Sequence, residues 1–270
     1  MTQVMRAFSS ELLKFRRWSV LAGAGVMIAA TAFIAYLTFH QITSRATGPE
    51  LTPLIQAFPT SQGLITVVGQ GRSLIIVIAL IMVTSNMAAE WSQGTLRNLL
   101  VCEPNRLRLL AGKMLALLLF VIGSAALTLA TSAAFIIAAA QSQEISTAAW
   151  TSSEGMRIFL TFFGNEVLCL IGISLLGMLI AVLTRSVGAA VGVTLAYVLV
   201  PEGIIAMVWQ QGSRWFPVRV FNFLPGSAFP PAVGPTPPQG YLAALLVALL
   251  WMAVFVAVSA VVFPRQDITA

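Results

Sequence analysis

Long apolar runs closed by polar or basic clusters recur six times along the chain, at Trp18–Phe39, Gly71–Ala89, Leu109–Ala140, Ile158–Leu183, Val187–Trp209 and Tyr241–Phe263. Each reaches the roughly 20 residues that a helix needs to cross the hydrocarbon core of a bilayer. The runs are continuous and do not alternate with period two, which argues against a transmembrane barrel. The third is overlong and is expected to extend past the bilayer. The pattern predicts an all-α, polytopic membrane protein with six transmembrane helices in one domain over residues 1–270.

Composition makes the alternative harder to hold. Of 270 residues, 58% are hydrophobic and 9% charged, against about 25% charged in an average soluble domain. A soluble enzyme is therefore close to excluded. The net charge of +6 comes from 15 Lys+Arg against 9 Asp+Glu, and the basic residues stand beside the apolar runs. That placement reads as membrane topology, not as a nucleic-acid surface. Arg6, Lys14, Arg16, Arg17, Arg97, Arg106, Arg108, Lys113, Arg185 and Arg265 fall on one side of six crossings. Arg45, Arg72, Arg157, Arg214 and Arg219 fall on the other or near it. The excess of cations marks the cytoplasmic side, so both termini are expected inside. Within residues 1–17, Met5, Phe8, Leu12 and Phe15 recur at helical spacing opposite Arg6, Ser10, Lys14 and Arg17. This reads either as an interfacial helix lying on anionic lipid or as a plain basic flank. Cys102 and Cys169 share no compartment, so no disulfide is expected, and His40 has no metal-ligand set around it.

The most informative segment is residues 90–108, between the second and third spans. Gly94 suits a special backbone angle, and Thr95 can cap a short helix running to Val101. Pro104 stops that helix from running into the next span, and Asn105 can cap the restart. The expected product is a short helix on the cytoplasmic surface, broken from both neighbours and shaped to dock in a groove of another protein.

These residues carry a resemblance. Glu90, the run Gly94-Thr95-Leu96-Arg97, Pro104 and Lys113 resemble the cytoplasmic loop of type-2 ATP-binding-cassette (ABC) exporter permeases. The order of elements over nearly the whole chain is similar as well, within the bacterial drug, antibiotic and lantibiotic-immunity branch. The resemblance implies a multi-pass permease subunit of the bacterial inner membrane, acting in efflux or antibiotic resistance. It implies that the loop is a coupling helix, docking a separate cytosolic ATPase through Glu90, Gly94, Thr95, Leu96, Arg97 and Leu100. Two ATPase copies would bind ATP and Mg, with no cofactor and no enzymatic activity in this chain. No G-x-x-x-x-G-K-[ST] phosphate loop occurs in the sequence. A second permease copy, identical or merely similar, is implied across the first and fifth helices. The small-x-x-x-small pair Gly188 and Gly192 fits such a seam.

Three further residues bear on a gate or path. Glu166 lies in the fourth apolar run, where a mid-helix charge costs about 2.5–3.5 kcal/mol on insertion scales. Since Asn165 to Thr184 alone could span, Glu166 falls either at the outer interface after a short helix from Gly155, or inside, lining a path or pairing with Arg157 or Arg72. Pro201 and Glu202 interrupt the fifth run about two-thirds of the way across. Residues 201–240, dense in Pro and Trp, read as a re-entrant outer segment that forms part of a gate, or as an aromatic belt. Ser124, Thr128, Thr131 and Ser132 offer hydroxyls to a cargo of drug, peptide-antibiotic or lipid-like character. The rival readings are an ion-coupled secondary transporter and a non-transporting membrane protein that binds a partner through the same loop.

Overall fold

The structure, a computed structural model, describes residues 18–44, 52–95, 105–228 and 238–266. The proposed interfacial helix of residues 1–17, together with Leu96, Arg97, Leu100, Cys102 and Pro104, lies outside the described residues. Among the described residues every regular element is helical. We label them α1 (Trp18–Thr43), α2 (Thr52–Ala57), α3 (Gly63–Val68), α4 (Arg72–Ser92), α5 (Arg106–Ser142), α6 (Ser153–Thr184), α7 (Val187–Leu199), α8 (Pro201–Val208), α9 (Gln210–Ser213), α10 (Pro217–Gly226) and α11 (Tyr241–Val262). Six helical stretches are long and apolar enough to cross a membrane: α1, α3 running through a 3-10 turn into α4, α5, α6, α7 with α8, and α11.

The local chemistry sets the breaks. Asn105 takes an extended backbone and its side-chain oxygen accepts from the Arg108 N–H at 3.2 Å, which starts α5. Ser152 does the same for α6 through the Gly155 N–H at 3.1 Å. Gly94 has φ +64°, the left-handed angle that glycine adopts without strain. Pro201 has no N–H to give, so α7 ends at Leu199 and Pro201 opens α8. At 37 residues α5 is about 55 Å long, well beyond the hydrocarbon thickness.

The fourth span differs from the expectation of a short interfacial helix followed by a separate crossing. Helix α6 runs unbroken from Ser153 to Thr184. No proline interrupts it, and Gly155 lies in its capped first turn, where a glycine costs little.

Helices α4 and α6 form the centre. In their most apolar stretches 61% of residues are buried inside the protein, against 17% for α1 and 12% for α7–α8. A bilayer offers no water to expel between helices, so close approach and dispersion hold such a bundle together. Gly177 of α6 supplies one close approach. A Cβ there would come within about 2.5 Å of the Thr84 hydroxyl on α4. The outer helices leave Val26, Phe33, Leu246 and Leu250 exposed, as lipid-facing positions require.

Helix α10 is the element that positions the site. It packs against α6 and α11, with Val218, Val220, Phe221 and Leu224 buried. The Phe221 ring occupies the space a Cβ on Gly172 would need, and lies 6.4 Å from the Phe255 ring. Phe255 is fourteen residues into α11, about 21 Å from its Tyr241 end. So α10 reaches past the middle of a 22-residue crossing helix. It is inserted into the bundle and does not lie over it.

Candidate functional site

Two clusters of buried charge stand at opposite ends of α4. The first begins with Arg72, the opening residue of that helix. Its Nε donates to Glu166 Oε2 of α6 at 3.1 Å, and its Nη2 donates to Asn222 Oδ1 of α10 at 3.2 Å. The same Nη2 stands 3.8 Å from the Cys169 thiol. Glu166 is 0% exposed, and its partner is Arg72 and not Arg157. Arg157 instead makes an exposed pair with Glu154 at 2.7 Å. A guanidinium with several donors can hold a carboxylate and an amide oxygen together, which lets one residue join three helices. Glu166 Oε1 has no hydrogen-bond partner among the described residues.

Helix α10 is also tied at both ends. Glu202 of α8 accepts from the backbone N–H groups of Val218 and Arg219 at 3.0 and 2.8 Å, so a carboxylate from another helix caps α10. The Tyr197 hydroxyl donates to the same carboxylate at 3.1 Å. At the other end, Asn165 of α6 reaches Ser227 Oγ at 3.4 Å and accepts from the Tyr241 hydroxyl of α11 at 2.7 Å. At the interruption read in the sequence at Pro201 and Glu202, the Glu202 carboxylate thus supplies the cap of the inserted helix. Sequence reasoning missed Asn222, Tyr197 and Tyr241. Only their polarity within apolar surroundings signalled them.

The second cluster lies at the other end of α4. Lys113 Nζ of α5 meets Glu90 Oε1 of α4 at 2.7 Å, and the two residues are 3% and 5% exposed. Glu90 therefore does not offer its carboxylate to an outside partner, as the resemblance implied. It neutralises a lysine two turns inside an apolar helix, where an uncompensated charge would be expensive. Gly94 is exposed, and the Thr95 hydroxyl reaches back to the Glu90 carbonyl at 3.5 Å.

Close to this pair along the chain, helix ends are joined to one another. Arg106 at the start of α5 donates to the carbonyls of Pro264 and Gln266 at 2.9 and 2.8 Å. The Gln266 side-chain amide donates to Val182 O of α6 at 2.7 Å. The Val187 N–H of α7 donates to Ser92 Oγ at 3.3 Å, and Trp91 meets Phe263 edge-on at 5.6 Å. The ends of α4, α5, α6, α7 and α11 are thus fastened together at the base of residues 96–104.

Elsewhere the hydroxyls considered for a cargo path mostly bond their own helix. Ser124, Thr128 and Thr131 donate to carbonyls of Val121, Ser124 and Leu127. Gly188 and Gly192 lie on an open face of α7, where an added Cβ would meet nothing within 4 Å. The His40 ring stacks beside Tyr36, 6.3 Å between centroids.

A protein-family model described as "Protein of unknown function (DUF2705)" matches residues 59–269. The chain belongs to this family. The DUF2705 match takes in both buried clusters, the whole of α10 and the clasp at Gln266, and leaves out α1. No curated protein matches the chain.

Proposed function

We propose that this chain is the permease subunit of an ATP-driven exporter of the type-2 ABC kind, in a bacterial cell membrane. Both termini and residues 96–104 are placed in the cytoplasm. The observation that carries the reading is the fastened base of that segment, where the ends of five membrane helices meet around Glu90 and Lys113. A push on residues 96–104 reaches every one of those helices at once. Arg106, Arg108, Lys113, Arg185 and Arg265 gather at this end, which supports its cytoplasmic assignment.

In this account two cytosolic ATPase subunits bind ATP and Mg and grip the permease pair through Gly94, Thr95, Leu96, Arg97 and Leu100. Their closure moves α4, a strut of 21 residues, about 30 Å long. Arg72 at the far end of the strut carries the displacement to Glu166 and Asn222, and so to α10. Helix α10, held by Glu202, Arg72 and Asn165, is the outer gate. Shifting it opens a path outward while the inner side closes. Export then requires only that ATP binding stabilise one of two packings of the same helices. The open glycine face at Gly188 and Gly192 accommodates the second permease copy, and the cargo is an amphipathic molecule.

The experiment is reconstitution with the partner ATPase. In the complex, Arg97→Glu is expected to abolish cargo-stimulated ATP hydrolysis and export while membrane insertion stays normal. Undiminished stimulation and export in that variant would overturn the coupling role.

A further inference from the structure

A groove of about 460 Å³ opens between α8–α9 and α11, lined by Trp209, Gln211, Gly212, Arg214, Trp215, Phe216 and Trp251. Its indoles are held in place. The Trp251 Nε1 donates to the Trp215 carbonyl at 2.9 Å. The Trp209 ring lies against Gly212, in space any larger residue would fill. Trp215 supports the Arg214 guanidinium, whose carbon stands 5.1 Å from the ring centroid.

Arg214 is the unusual member. Its Nε is buried without a hydrogen-bond partner, and no carboxylate among the described residues pairs with it. The other half-buried arginines, Arg72, Arg106 and Arg219, each donate to a side-chain or backbone oxygen, whereas the Arg214 guanidinium has no such acceptor among the described residues. Trp251 stands ten residues into the 22-residue α11, about 15 Å from its Tyr241 end. The groove thus lies along the Tyr241 half of α11, and the Gln239 amide, which donates to the Arg214 carbonyl at 3.4 Å, holds Arg214 toward that end. A guanidinium without an acceptor beside three indoles points to an occupant that brings an anion and an apolar body together.

We propose that this groove binds an anionic amphiphile drawn from the bilayer, with Arg214 holding its acidic head and Trp209, Trp215 and Trp251 covering the adjoining apolar part. Guanidinium and carboxylate or phosphate meet through charge-assisted hydrogen bonds, and the indoles supply flat contact area at small cost in side-chain freedom. Naming the occupant as the cargo class rests on the export reading. The binding site itself does not.

The test uses the full chain in zwitterionic nanodiscs and a dansyl-labelled undecanoic acid, read by energy transfer from tryptophan. The acid is expected to bind at least about tenfold more tightly than its methyl ester. Arg214→Gln removes that preference and leaves ester binding unchanged. Arg214→Lys, which keeps the charge, retains a part of it, and the melting temperature of each variant checks the fold. Nanodiscs containing phosphatidylglycerol are expected to weaken probe binding by competition. Equal binding of acid and ester, or an acid preference that survives Arg214→Gln, overturns the proposal. Cargo-stimulated ATP hydrolysis in the reconstituted complex tests the export reading separately, since the site binds the probe with no ATPase present.

Discussion

The two buried ion pairs among the described residues use the same chemistry for different ends. Glu90 and Lys113 belong to helices joined by a short connection, and the pair closes the base of that connection at 2.7 Å. Arg72 and Glu166 are separated by 94 residues, and the arginine divides itself between a carboxylate and the amide of an inserted helix. The first pair fastens helix ends into one block. The second suspends the inserted helix α10 from the two central helices. Both have a member on α4, which is why the proposed coupling runs along that helix.

The difference can be tested by removing each pair in turn. The largest loss is expected at Arg72→Met, which leaves Glu166 charged and fully buried. About 3–5 kcal/mol should disappear from the unfolding free energy in detergent. The double change Arg72→Met with Glu166→Leu should regain most of it, because the stranded charge goes too. Lys113→Met is expected to cost slightly less, since Glu90 keeps a little exposure, 5% against 0% for Glu166. Thermal unfolding of the single and double variants at both sites checks the order.

A smaller effect is expected at the cap of α10. Glu202→Gln keeps one acceptor for the Val218 and Arg219 amides and loses the charge, costing about 1 kcal/mol. Hydrogen exchange should quicken in residues 217–226 while α4 is unaffected. The smallest effect belongs to the exposed Arg157–Glu154 pair. Arg157→Ala is expected to leave the melting temperature essentially unchanged, because an exposed pair is screened by solvent. A large loss there would mean that α6 is not anchored as described.

The spans were legible in the sequence because a bilayer demands long apolar runs. Five of the six runs coincide with the helical stretches to within five residues, and the second stretch begins eight residues earlier, at Gly63. The angle at Gly94, the cap at Asn105 and the break at Pro201 were legible too, since each depends on the local chain alone. Partners were not legible. Hydropathy places Glu166 in a helix but does not say whether α4 or its own first turn faces it, so Arg72 and Arg157 stood as equals. Glu90 misled for a related reason. An acidic residue at the end of a span beside a basic loop reads as exposed, and only the inward face of Lys113 reverses that. One signal was available. Lys113 stands seven residues past Arg106 in an apolar helix, and a lysine so placed needs a nearby carboxylate. The clasp of Arg106 on Pro264 and Gln266 used backbone carbonyls, which no side-chain pattern announces.

The account turns on movement passing along α4 from the fastened helix ends to α10. Hydrogen exchange in residues 217–226 of the complex with its ATPase, compared with and without ATP, measures that directly. Nucleotide is expected to change exchange there in the wild type, and the change should vanish when Glu90→Leu and Lys113→Met are combined. Export that proceeds with exchange in 217–226 indifferent to ATP would contradict it.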